Sequence, residues 1–203
     1  MNIKRFIGGM LESNGYIISS RPDHDECYII DPGYEPKKFI KYVNDKDLSV
    51  KGIILTHHHY DHVGGAERIK KALDCPILMH RCDVDRYGKD VDVYLEDGDV
   101  LVLGDDQAKA EKLVILHTPG HTKGGISIMS AGSKVCFTGD TIFNVDLGRT
   151  DLDDGSDDEL VSSIINVVDK WPNEITIYPG HGDPATMKTV RKINREFLDI
   201  VGD

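Results

Sequence analysis

Short apolar runs that end in glycine-containing turns recur along the whole chain. Val, Ile, Leu and aromatic residues cluster to predict strands over 3–8, 14–20, 26–31, 51–55, 76–79, 99–103, 111–117, 125–130, 134–138 and 174–178. Between and after these runs the pattern predicts helices over 35–44, 64–74, 82–87, 156–169 and 184–199. The helix over 64–74 carries Ala66, Ile69 and Leu73 as an apolar stripe at helical spacing. Ser156 is a suitable helix start, because its hydroxyl can cap the first turn and Asp157, Asp158 and Glu159 complement the helix dipole. The acidic stretch 151–158 around it reads as a solvated loop and cap. A polar hairpin containing His24 is expected over 21–26. Strands in both halves, interleaved with helices, predict an α/β (α+β) fold of two packed sheets covered by outer helices.

Composition narrows the class. No Pro/Ser-rich linker, low-complexity tract or charge block divides the 203 residues, so a single domain over 1–203 is expected. A net charge of −11 argues against a nucleic-acid backbone as partner. The apolar stretch after Arg5 is too short for a signal peptide, and no run approaches the ~18 apolar residues of a bilayer span. The four cysteines form no C-x-x-C pair and no secreted framework: Cys27 and Cys136 sit in apolar strands, while Cys75 and Cys82 flank a short one. A reducing cytoplasm, with neither membrane nor nucleic acid as partner, is the expected setting.

The chemistry concentrates in Thr56-His57-His58-His59-Tyr60-Asp61-His62, directly after an apolar run. A core cannot hold four unpaired imidazoles, and a solvated loop has no use for them. Imidazole and carboxylate are ligands of divalent transition metals. If residues 50–56 form a strand, His57 and His59 leave the sheet on one side and His58 points away. Asp61 and His62, at the start of the next helix, can turn toward a second position. Two incomplete shells leave room for water and substrate, whereas four ligands in one closed shell would mark a structural metal. Three later strand ends repeat one grammar of apolar strand, glycine, then a ligand type: Thr118-Pro119-Gly120-His121-Thr122, Phe137-Thr138-Gly139-Asp140-Thr141 and Tyr178-Pro179-Gly180-His181-Gly182.

Together, H-x-H-x-D-H followed by P-G-H-T, T-G-D-T and P-G-H resembles the metallo-β-lactamase superfamily, and within it the short, single-domain glyoxalase II-like (hydroxyacylglutathione hydrolase) proteins. The resemblance runs from Asn14-Gly15-Tyr16 and Asp31-Pro32-Gly33 to His181. It implies a four-layer αβ/βα sandwich of two mixed sheets flanked by helices, with every ligand at one edge between the sheets. It also implies that His57, His59 and His121 hold one divalent cation, that Asp61, His62 and His181 hold another, and that Asp140 bridges the two. Two such cations, roughly 3.5 to 4 Å apart, can generate a bridging hydroxide nucleophile and polarise a carbonyl. Asp61 and Asp140 are then the catalytic carboxylates. The implied enzyme is a dinuclear, metal-dependent hydrolase of a small-molecule thioester, S-lactoylglutathione or a related compound, or of another ester or lactone. Zinc is the first choice of metal, with iron or manganese also suited to a shell without thiolates. Asp31 matches an aspartate that orients ligands from behind, though a plain turn residue before Pro-Gly reads equally well.

Arg149 matches a basic position that contacts glutathione; pairing with a substrate carboxylate and a surface ion pair in this acidic neighbourhood both remain open. The remaining histidines, His80 and His117 included, read as structural. Departures bear on substrate. Glyoxalase II proper has a C-terminal helical domain, whereas this chain runs about 20 residues past His181, and Gly182-Asp183-Pro184 replaces the usual tyrosine-bearing segment. A mononuclear-iron persulfide dioxygenase shares the fold and most of the motifs and is the alternative from another reaction class; a non-catalytic binding protein would ordinarily have lost a ligand. The spacing makes a direct prediction: His58→Ala keeps its metal and most of its activity, whereas His59→Ala or Asp61→Ala loses both, as elemental analysis and turnover would show.

Overall fold

The computed structural model describes residues 1–21, 26–104 and 110–202. The expected hairpin over 21–26 and its His24 fall largely outside them. Among the described residues, twelve strands form two six-stranded sheets. The first contains, in spatial order, β1 (Asn2–Gly8), β2 (Ser13–Ser19), β3 (Glu26–Ile30), β4 (Ser49–Leu55), β5 (Ile77–His80) and β6 (Val93–Leu95). Its first three strands pair antiparallel and β3 to β6 pair parallel. The second contains β7 (Val100–Leu103), β8 (Glu111–His117), β9 (Ile126–Ser130), β10 (Val135–Gly139), β11 (Thr176–Pro179) and β12 (Ala185–Thr186), also in spatial order. Only β10 and β11 run parallel there.

Strand periodicity explains the layers. In β2, β3, β4 and β10, Tyr16, Ile18, Tyr28, Ile30, Ile54, Val135 and Phe137 face the partner sheet. Their alternates Ile17, Cys27, Ile29, Ile53 and Leu55 face outward onto α1 (Pro36–Asp45) and α3 (Ala66–Leu73), meeting Phe39, Val43, Ala66 and Ile69. A one-turn helix, α2 (Tyr60–Val63), precedes α3, and α4 (Val84–Tyr87) follows β5. On the far face of the second sheet, Cys136 and Ile177 pack against α5 (Asp157–Asn166), α6 (Met187–Ile193) and α7 (Arg195–Val201) through Leu160, Ile164, Met187, Val190 and Phe197. Strands covered on both faces need apolar residues at every position, which is why they read as continuous runs. The four-layer αβ/βα sandwich that the family resemblance implies is therefore observed. Among the described residues, no helix is long and apolar enough to cross a membrane.

Several boundaries differ from the sequence expectation. The short strands β6 and β12 lie outside the predicted set. Asp61 and His62 lie on α2, a separate one-turn helix, rather than at the start of the amphipathic helix α3. The helix expected over 156–169 ends at Asn166 and gives way to a 3-10 turn, Val168–Lys170; its Ser156 cap does accept from the Glu159 amide. The single helix expected over 184–199 is two helices broken at Asn194, whose φ of −79° and ψ of 102° are extended. Asn194 is fully buried; its Oδ1 accepts from the Phe197 amide, and its Nδ2 donates to Phe143 O and Asp146 O. One side chain thus starts α7 and holds the 143–146 loop. Asn194→Ala should destabilise the fold by about 2–3 kcal/mol, from a lost cap and unsatisfied buried carbonyls. Urea unfolding with an unchanged m-value would read this loss.

Candidate metal centre

The strand ends converge where the two sheets meet. Ile126 N donates to Thr56 O, and Asn14 N donates to Gly180 O at 2.7 Å, stitching one sheet to the other beside the cluster. Thr56 follows β4, and its amide and hydroxyl donate to Asp31 Oδ1 and Oδ2 at 2.8 and 2.6 Å. Gly33 permits α2 to close on this turn, since a Cβ there would lie 1.5 Å from Asp61 O. Gly180 is equally constrained: its Cβ would fall 2.0 Å from Asp140 Oδ1.

All seven expected ligands come together. His59 Nδ1 lies 2.9 Å from His121 Nε2, and the His57 ring centroid is 4.9 Å from both of those rings. His62 Nε2 lies 3.2 Å from His181 Nε2, and Asp61 Oδ2 is within 3.3 Å of both nitrogens. Asp140 stands between the groups, with Oδ1 3.4 Å from His62 and Oδ2 3.5 Å from His121 and 3.4 Å from His181. Donor atoms of His57, His59 and His121 lie within 4.8 Å of one another, as do those of Asp61, His62 and His181.

The residues fit divalent cations on several counts. His57 Nε2 and Asp140 Oδ1 are buried without a hydrogen-bond partner, a costly arrangement unless a cation supplies one. Four histidines have their other nitrogen held from behind, which fixes the tautomer that turns a lone pair inward. His121 Nδ1 donates to Arg149 O at 2.6 Å and His181 Nδ1 to Leu11 O at 3.0 Å. His62 Nδ1 donates to Asp31 Oδ2 at 3.2 Å. The Thr56 hydroxyl, already donating to Asp31, accepts from His57 Nδ1 at 3.0 Å.

Electrostatics divide the cluster. Burial, then the surrounding imidazoles, drives the His57 pKa well down; the same causes take His59 to about 4. These nitrogens are neutral and ready to ligate. At His62 and His181 burial also disfavours the charge, but carboxylates outweigh it: Asp140, Asp31 and Asp61 raise His62 well above its usual value, and Asp140 and Asp61 raise His181 to about 9. Burial of Asp61 and Asp140 is similarly outweighed by His62 and His181, which hold both carboxyls low.

Other expected residues take clear places. The His58 ring turns to Asp83, which accepts from its amide and Nδ1 at 3.0 and 3.1 Å, and its Nε2 is 3.8 Å from Asp154 Oδ1. His117 donates to Lys123 O and stacks on His80 at 4.1 Å. Arg149 borders the cavity over the cluster, but its exposed guanidinium is held by Asp151 through bonds of 2.7 and 2.8 Å. Two carboxylates escaped sequence reasoning. Asp83, fully buried, also accepts from Thr122 Oγ1 and Gly124 N and so ties the 57–62 segment to the 118–125 turn. Asp154 is buried as well, against the expectation that 151–158 is a solvated loop.

Fold and cluster together define a divalent-metal-binding αβ/βα sandwich. The sequence profile of the metallo-β-lactamase superfamily matches residues 8–181, and the chain belongs to that family. It is 30% identical to the probable metallo-hydrolase YqgX of Bacillus subtilis over 98% of both chains. It is 34% identical to the hydroxyacylglutathione hydrolase GloC of Haemophilus influenzae, covering 85% of this chain and 87% of that one. Among solved structures, TTHA1623 in a di-iron-bound form is similar with a TM-score of 0.81 and 28% identity, covering 94% of this chain and 98% of that one.

The divided electrostatics set a pH dependence. His62 and His181 carry protons near neutral pH, and a cation held by these two rings would have to expel them. Affinity should therefore rise as the pH is raised through neutrality, because the protons on both His62 and His181 become easier to displace. Calorimetry of zinc binding near neutral pH, in two buffers of different ionisation enthalpy, should show net proton release; equal heats would contradict this.

Proposed function

We propose that the chain is a dinuclear metal-dependent hydrolase of thioesters or closely related esters. The observation that carries this reading is the pair of inward-facing donor sets that share Asp140. His57, His59 and His121 would hold one cation, Asp61, His62 and His181 the other, with Asp140 common to both and zinc the favoured metal. The di-iron-bound form of TTHA1623 supports a pair of ions and keeps iron as an alternative occupant. When bound, such a pair supplies an activated water at neutral pH and Lewis-acid stabilisation of a developing oxyanion.

The chain's own residues do the rest. Asp61 and Asp140 both border the cavity, where their carboxylates accept hydrogen bonds from the attacking water and orient it toward the scissile carbonyl. Asp31 and Thr56 keep the His62 and His57 rings from turning. The leaving thiolate needs no acid from the protein, because a thiol ionises near pH 8.5 where an alcohol does not. That asymmetry favours thioesters over simple esters, and the name of the GloC relative points to the same bond. We place the protein in the cytoplasm, where its four free cysteines, Cys82 exposed among them, would stay reduced.

Elemental analysis of protein purified without added metal, paired with a thioester-hydrolysis assay, tests the reading. Two equivalents per chain with turnover is the expected result. One equivalent of iron, with oxygen consumption on a persulfide and no thioester cleavage, would replace this reading with the oxidoreductase. Asp140→Ala should lower the metal content and cut kcat by at least about 100-fold.

A further inference from the structure

The cavity above the cluster has a floor of metal-ligand residues and walls of a different character. Its volume is about 670 Å³, within the range of small-molecule sites. The walls are built from Leu11, Phe143, Val145, Leu147 and Leu152. Leu11 and Val145 are 63% and 51% exposed, so solvent reaches apolar side chains grouped around one opening. A polar-rimmed apolar patch of this kind marks a ligand surface, since each such residue costs free energy until something covers it.

Charge points the same way. Among the described residues lining the cavity, Arg149 is the one Lys or Arg side chain, and Asp151 already holds its guanidinium through two bonds. Asp146 adds a carboxylate to the wall, and its pKa is raised by burial and by the nearby Glu196. The molecule as a whole carries −11. Along these walls, away from the cluster on the floor, an anionic group meets only Arg149, paired with Asp151, and the Asp146 carboxylate, whereas an uncharged apolar group gains by leaving water.

We infer that the substrate is an uncharged thioester or ester whose apolar body fills the walls formed by Leu11, Phe143, Val145, Leu147 and Leu152, and that anionic thiol carriers such as glutathione are discriminated against. This rests on the hydrolase reading for the bond cleaved and on the cavity alone for the body bound. Glutathione brings two carboxylates and one ammonium; the cavity offers them Arg149 only at the expense of its pair with Asp151.

The test compares one acyl group on two thiols. With metal-loaded protein, hexanoyl-N-acetylcysteamine, which is uncharged, should exceed S-hexanoylglutathione in kcat/KM by at least tenfold. Lengthening the acyl group from acetyl to hexanoyl should raise kcat/KM by up to about fourfold per methylene. Val145→Asp, a change at an exposed position that spares the core, should remove most of that chain-length dependence. Asp151→Asn, which releases Arg149, should improve the glutathione substrate by several-fold. Calorimetry with two thioethers that cannot be hydrolysed, S-hexyl-N-acetylcysteamine and S-hexylglutathione, reads the cavity independently of turnover. Tighter binding of the uncharged thioether supports the inference even if neither thioester is cleaved, a result that would count against the hydrolase reading instead. Equal or tighter binding of the glutathione thioether, or binding of neither, would overturn the inference; hydrolysis of S-hexanoylglutathione alone would overturn it and leave the hydrolase reading in place.

Discussion

The hydrogen bonds between Asp31 and Thr56 are the joint on which the cluster turns. Asp31 sits just beyond β3 at a φ of 47°, a conformation that an aspartate adopts at some cost, and Thr56 sits just beyond β4. The two strands run parallel, so their ends lie side by side and one carboxylate can take both the amide and the hydroxyl of Thr56. The hydroxyl, its proton committed to Asp31, has only lone pairs to offer His57, while the same carboxylate oxygen receives His62. One histidine from each half of the cluster is thereby aligned by a single turn. Without that alignment, two imidazoles flanked by other rings would have several competing orientations.

The alignment also accounts for how so many like groups share one small volume. The half containing His57 and His59 avoids repulsion by staying neutral, because burial and neighbouring imidazoles make a proton costly there. The half containing His62 and His181 is balanced instead by Asp61 and Asp140, with protons occupying the place that a cation would take. Protons and cations are thus alternative solutions to one electrostatic problem. Asp140 touches both halves, so neither set is independent of the other.

Much of this was legible in the sequence, for identifiable reasons. Strands covered on both faces show as unbroken apolar runs, and a cluster as dense in imidazole as His57 to His62 suits little besides metal ligation. Supporting residues were harder to read. Asp83 lies in a stretch that scans as an ordinary polar helix turn, and Asp154 lies among acidic neighbours that are mostly solvated; burial created by distant segments distinguishes both. Asn194 looks like a tolerable residue inside one long helix, yet its carbonyl partners come from the 143–146 loop, about fifty positions earlier. The edge strands β6 and β12 are too short to carry a periodicity. Arg149 shows the limit most plainly, since spacing identifies a cation near the cavity but not that Asp151, two residues away, already holds it.

The parallel pairing of β10 with β11 has a consequence for how the chain matures. His57, His59, His121 and Asp140 have all been synthesised soon after β10 is made, but His181 follows β11, after α5 has intervened. The group Asp61, His62 and His181 is therefore completed only after β11, so a chain that has emerged no further than β10 can bring together at most His57, His59 and His121 with Asp140. A cation that binds only the finished architecture stabilises it by mass action, in proportion to supply. Metal availability in the cell would then set the lifetime of the protein as well as its activity, with chains made during scarcity opening more often and falling to proteases first.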